Sequence, residues 1–150
     1  VDSQTLVTQE EKRLYRTARA ILGNPSEAQD AVQEAFLAFL EKAPADLENP
    51  GAWLMRVLVN GCKSWLRLRW RRPTVPLWEE LPAPSPQERE ELEELYALPP
   101  QDRVVIHLHY YEGYSTQEIA QLLHCRPGTV RSRLSRARER LRRLLGGDFQ

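Results

Sequence analysis

The chain of 150 residues is poor in sulfur, with two cysteines, Cys62 and Cys125, and one methionine. The cysteines stand far apart and form no CxxC pair, so neither a disulfide framework nor a cysteine-rich zinc site underlies the fold. Long hydrophobic runs are also missing. The apolar stretches are a few residues each, against the roughly 18–20 that a spanning helix requires, so no membrane insertion is expected. Gln9-Glu10-Glu11-Lys12 lies where a secretory signal would need apolar residues, so no signal peptide and a cytoplasmic location are expected. There is no net charge: 21 basic residues match 21 acidic ones, which taken alone speaks against a simple polyanion binder.

Catalytic patterns are equally scarce. No Gly-rich phosphate loop, Ser-His-Asp order or zinc-protease motif occurs. His107 and His109 are two apart on a helix and point away from each other. His124 beside Cys125 is two adjacent residues rather than a ligand set. No catalytic residue, metal or cofactor is therefore expected, and the chain is read as a non-enzyme. Both cysteines read as core residues.

What remains is 41% hydrophobic and 28% charged, the composition of a globular protein. The charge is segregated. Residues 1–50 carry net −4, 51–75 net +6, 76–102 net −7 and 103–150 net +5. Two basic blocks separated by an acidic one suit two contacts with a polyanion and one segment repelled by it.

The pattern is all-α, with no alternating strand signal. Thr8-Gln9-Glu10-Glu11 reads as a capping box starting a helix to about Leu22, with Gly23 taking a left-handed cap. Asn24-Pro25-Ser26-Glu27 restarts the chain as N-cap, N1 proline and N3 acid. The helix that follows is expected to bury Ala28, Val32, Ala35, Phe36, Phe39 and Leu40. Asn49-Pro50 opens a third helix to about Trp70. Pro73, Pro76, Pro82, Pro84 and Pro86 make residues 73–86 an extended acidic linker and the domain boundary. It is expected to leave the two units free, or held closed by opposite charge. Ser85-Pro86-Gln87-Glu88 caps a short acidic helix to about Ala97, and a further helix is expected over Pro100–Tyr111, stopping at Gly113. Ser115-Thr116-Gln117-Glu118 caps a short helix to about Leu123. After the turn His124-Cys125-Arg126, Pro127 starts a last helix expected to bury Val130, Leu134, Ala137, Leu141 and Leu144. The fold class is thus two small helical domains joined by a Pro-rich acidic linker, the second a helix-turn-helix.

Three faces carry chemistry. Between Arg126 and Arg143 lie eight arginines and one acid, Glu139. The N-terminal part of the second helix of a helix-turn-helix enters the major groove, and arginine forks match phosphates and guanine edges. Arg126, Thr129, Ser132, Arg133 and Arg136 are therefore placed for DNA. On the third helix Arg56, Asn60, Lys63, Arg67 and Arg71 share a face, with Leu54, Leu58, Cys62 and Trp65 opposite. Trp65 and Trp70 among these cations offer stacking surface for single-stranded bases. On the second helix Asp30, Glu34, Leu37 and Glu41, with Gln33 alongside, form an acidic stripe suited to a basic partner helix.

Taken together, Asp30-Ala31-Val32-Gln33-Glu34-Ala35-Phe36, Ala52-Trp53-Leu54, Asn60 and a basic tail to Arg72 resemble the first half of a bacterial extracytoplasmic-function sigma factor of the sigma-70 family. Leu98-Pro99-Pro100-Gln101, Tyr111-Glu112-Gly113-Tyr114-Ser115, Glu118-Ile119-Ala120, Gly128-Thr129-Val130-Arg131-Ser132-Arg133-Leu134 and Arg136-Ala137-Arg138 resemble the second half, in the same order. The resemblance implies a promoter-directing subunit of RNA polymerase. Residues 8–72 would be region 2, with Asp30, Gln33 and Glu34 on the polymerase clamp helices and Arg56, Asn60, Lys63 and Arg67 on the −10 element. Residues 43–49 would match the loop that captures a flipped base. Residues 87–146 would be region 4, resting on the polymerase flap, with Arg126, Thr129, Ser132, Arg133 and Arg136 on the −35 element. Core RNA polymerase and promoter DNA are the implied partners, and an anti-sigma factor is a further partner class. The chain departs from the family pattern at His124, where Gly is usual, at the order Arg126-Pro127, and at Trp70. A regulator acting without polymerase, a small nuclease and a pure interaction module are the competing readings from the residues alone.

Overall fold

The protein, represented by a computed structural model, is described here over residues 3–70, 95 and 97–144, with side chains for 4–66, 95 and 97–144. Among the described residues there are six helices: α1 (Ser3–Leu22), α2 (Pro25–Lys42), α3 (Pro50–Trp70), α4 (Pro100–Ile106), α5 (Thr116–Leu123) and α6 (Pro127–Leu144), and α4 runs on into a π-helical turn, His107–Tyr111. No strand occurs among the described residues, as the pattern predicts. The Pro-rich linker and the acidic helix expected between Ser85 and Ala97 lie almost wholly outside them.

Helices α1, α2 and α3 pack mutually into one unit, and α4, α5 and α6 into another. Leu14, Ile21, Leu54, Met55, Leu58 and Leu66 of the first unit and Val104, Leu108, Ile119 and Leu134 of the second lie in one hydrophobic core that is continuous across both. Phe39 meets Trp53 edge-on at 5.7 Å between α2 and α3, the favoured aromatic geometry. The two units also touch each other, α1 against α4 and α3 against α5. That contact is direct and closes one unit on the other; the linker, for which the sequence allows free or closed units, lies outside the described residues.

The caps follow the sequence at three starts. Asn24 Oδ1 accepts from the Glu27 amide at 3.0 Å, with Pro25 at N1. Asn49 Oδ1 accepts from the Ala52 amide at 3.0 Å. Ser115 and Glu118 form the reciprocal capping box: Ser115 Oγ accepts at 3.1 Å and Glu118 Oε1 at 2.8 Å. Gly23 has φ +76°, the left-handed cap. The fourth start is elsewhere. α1 begins at Ser3, and Thr8 Oγ1 donates back to the Gln4 carbonyl at 3.0 Å from inside the helix. Leu6, buried on the core, extends α1 beyond the local capping signal. The helix expected over Pro100–Tyr111 is regular only to Ile106. The Glu112 amide then donates to the His107 carbonyl at 3.2 Å, one residue further than in an α-helix.

Two apolar positions expected in the core are outside it: Leu40 is 65% exposed and Leu144 52% exposed. Each sits at the edge of its helix's apolar stripe, near the helix's C-terminal end.

Candidate nucleic-acid interface

The helix-turn-helix is built from α5 and α6 by a turn whose sharpness rests on one residue. His124 adopts the left-handed conformation, φ 57° and ψ 49°. The Cys125 amide then closes the end of α5 on the Ala120 carbonyl at 3.0 Å. Histidine therefore takes the conformation that glycine adopts more readily, and the turn keeps its shape.

Helix α6 buries Val130, Leu134, Ala137 and Leu141 and turns its basic face outward. A groove along its first three turns is lined by Gln101, Arg126, Gly128, Thr129, Ser132, Arg133 and Arg136. All five residues predicted for the −35 contact are thus brought together on one surface. Arg126 and Ser132 are exposed; Thr129 and Arg133 are half-buried. Arg136 is exposed but engaged: it donates from Nη2 to Asp102 Oδ1 at 3.0 Å, and Arg140 Nη1 donates to Asp102 Oδ2 at 2.9 Å. Further along, Arg142 and Arg143 pair with Glu139, at 2.8 and 3.9 Å.

The basic face of α3 is divided. Arg56 and Asn60 are exposed, and the side chain of Arg67 lies outside the described residues. Lys63 is only 8% exposed and donates to the Leu123 carbonyl, at the end of α5, at 2.8 Å. His124 Nε2 lies 3.2 Å from Asn60 Oδ1. The helix-turn-helix turn thus sits on the face predicted to engage the −10 strand. Trp65 is half-buried, and its indole donates to Glu27 Oε2 at 3.2 Å, so it braces α3 against α2 instead of forming an open stacking platform. Trp70 lies in α3 with its side chain outside the described residues. Cys62 is buried, and burial, with Glu34 nearby, pushes its thiol up to about 12, which makes it an inert core residue.

The acidic stripe of α2 is as expected: Asp30, Gln33 and Glu34 are exposed, while Val32 and Ala35 are buried and Phe36 half-buried. Leu37, 56% exposed, and Leu40 add an apolar strip beside it.

Polar side chains bind the two units where sequence reasoning saw nothing. Arg13 donates from Nη1 to Glu112 Oε1 at 2.9 Å and to the Tyr114 hydroxyl at 3.3 Å, and from Nη2 to the Gly51 carbonyl at 3.0 Å. Burial opposes the charge on Arg13, but the bonds to Glu112, Tyr114 and Glu10 more than offset it and hold the group above its ordinary pKa. Thr17 Oγ1, which donates to the Arg13 carbonyl, lies 3.0 Å from His107 Nε2. Arg103 Nε donates to the Ala20 carbonyl at 2.8 Å. These partners are 38 to 101 residues apart in the chain, so no local pattern announces them. Among the described residues no cluster of His, Cys, Asp and Glu suits a metal ion, and no helix is long and apolar enough to cross a membrane.

Two family models cover most of the chain: Sigma-70 region 2 matches residues 6–72 and Sigma-70, region 4 matches residues 89–141. The chain is 34% identical over 142 residues to the ECF RNA polymerase sigma factor SigM of Mycobacterium tuberculosis, covering 90% of this chain and 72% of that one. The chain belongs to the extracytoplasmic-function group of the sigma-70 family. It is also 35% identical over 139 residues to the RNA polymerase sigma-E factor of Streptomyces avermitilis, covering 86% of this chain and 76% of that one. The fold matches the sigma factor RpoE solved with the anti-sigma factor NepR from Bartonella quintana, with a TM-score of 0.73, 26% identity and 97% of each chain covered. It matches CnrH, solved with the cytosolic domain of CnrY, with a TM-score of 0.65, 27% identity, and coverage of 97% of this chain and 88% of that one. In this sigma factor the region 2 match spans nearly all of α1 with α2 and α3, and the region 4 match spans α4, α5 and most of α6.

Proposed function

We propose that this sigma factor binds core RNA polymerase and directs it to promoters, reading the −35 element with α6 and recognising and melting the −10 element with α3. The groove that gathers Arg126, Thr129, Ser132, Arg133 and Arg136 at the start of α6 carries the reading. These are fork-shaped and hydroxyl donors on the part of a helix-turn-helix that fits a major groove. The exposed Asp30, Gln33 and Glu34 of α2, flanked by Leu37 and Leu40, suit a basic and partly apolar helical partner, here the polymerase clamp helices. Region 4 meets the flap. The sigma factor supplies recognition and no chemistry of its own.

Asn60 and Lys63 face the helix-turn-helix turn, so engagement of the −10 strand requires α5 to lift from α3. An anti-sigma factor is a partner of the kind found with the solved relative RpoE. The test is reconstitution. Core polymerase with this chain should initiate at discrete sites sharing two upstream sequence elements. Initiation indistinguishable from that of core polymerase alone would overturn the proposal.

A further inference from the structure

Asp102 lies in the first turn of α4, and its carboxylate is fully buried. It faces α6. Arg136 donates to it from Nε, at 3.3 Å to each oxygen, and from Nη2 at 3.0 Å; Arg140 donates from Nη1 at 2.9 Å. The two arginines are one helical turn apart and each is about half exposed, 44% and 39%. One side of each guanidinium therefore rests on a buried anion while the other faces solvent.

The geometry decides which donors remain. Nε and Nη2 form the side edge of the Arg136 fork, and that edge is occupied by Asp102. The end edge, Nη1 with the outer hydrogen of Nη2, stays free for a phosphate or a guanine edge. Without Asp102, two like charges a turn apart would repel and swing into water. With it, their rotamers are set before DNA arrives, and little ordering entropy is left to lose on binding. An exposed acid here would repel the phosphate backbone; this one lies beneath the two cations.

We propose that Asp102 is a positioning residue for −35 recognition, holding Arg136 and Arg140 as a preset two-pronged clamp on duplex DNA. The inference rests on the assignment of α6 to the −35 element.

The experiment is selection by reconstituted holoenzyme from duplexes randomised over the upstream element, followed by measured affinity for the selected duplex and a scrambled one. Asp102→Asn should lower preference for the selected duplex by about tenfold. In an Arg136→Ala/Arg140→Ala background, Asp102→Asn should add nothing further, since the groups it positions are gone. A purely structural role would instead show the same loss in both backgrounds, and that result overturns the proposal, as does unchanged preference in the single variant. If Asp102→Asn does not fold, Asp102→Glu keeps the charge but displaces it by one methylene. It should fold and reduce preference, and full retention of preference would overturn the proposal. Wild-type holoenzyme selecting no upstream element would remove the −35 assignment itself, and the clamp with it, a result distinct from failure of the Asp102 variants alone.

Discussion

His107 shows how one side chain links the two units to pH. Burial, and next the positive charge of Arg16, lower its pKa to about 4 from the ordinary 6.5. Glu112 Oε2, 3.8 Å from Nε2, pulls the other way but is already engaged through its other oxygen by Arg13. The folded protein thus holds His107 neutral, whereas the unfolded chain takes up its proton near pH 6.5. A depressed histidine pKa contributes no penalty above pH 6.5 and costs increasing stability as pH falls from there toward 4, roughly 3 kcal/mol over that window. Thermal unfolding followed between pH 7 and pH 4.5 should show a decline that His107→Gln flattens; an identical slope in the variant would refute the assignment. His124 is the other instructive residue. Its left-handed backbone tolerates glycine but not a β-branched side chain, so His124→Val should lose about 1–2 kcal/mol while His124→Gly stays near wild type. Chemical denaturation of the two variants makes the comparison.

Helices reveal which parts of the structure were legible in sequence. The starts at Asn24, Asn49 and Ser115 were readable because capping is local chemistry, confined to three or four residues. Thr8 carries the same local signal, yet packing of Leu6 extends α1 past it. Ser115→Ala should cost about 1 kcal/mol, measured by the same denaturation, with loss confined to the helix-turn-helix in hydrogen exchange. The exposed face of α2 was legible from its 3.6-residue period. Glu34→Lys there should weaken binding to core polymerase by about tenfold while the helical circular dichroism is unchanged. Unchanged affinity would remove α2 from the polymerase interface. The π-turn at His107–Tyr111 and the burial of Asp102 and Lys63 were not legible. Asp102 stands at the end of the acidic block in sequence, and only the folded chain brings it under Arg136 and Arg140.

The whole molecule sets two basic faces in opposed situations. The face of α6 proposed for the −35 element is open along its first turns, with Arg126 and Ser132 exposed, whereas Lys63 on α3 is covered by the end of α5. The contacts that close the units on each other are the Arg13–Glu112 ion pair, hydrogen bonds and packing, centred on Arg13, Thr17 and Arg103. Arg13→Ala with Thr17→Val should therefore raise the radius of gyration in small-angle scattering, and an unchanged radius would show that these bonds do not hold the units together. The decisive measurement is reconstituted transcription with core polymerase on a promoter selected by the holoenzyme, comparing duplex template with template already unpaired at the −10 element. Asn60→Ala and Lys63→Ala should initiate poorly on duplex and recover substantially on unpaired template. Arg133→Ala should be impaired on both. Equal impairment of the Asn60 and Lys63 variants on the two templates would contradict a role for α3 in opening the promoter.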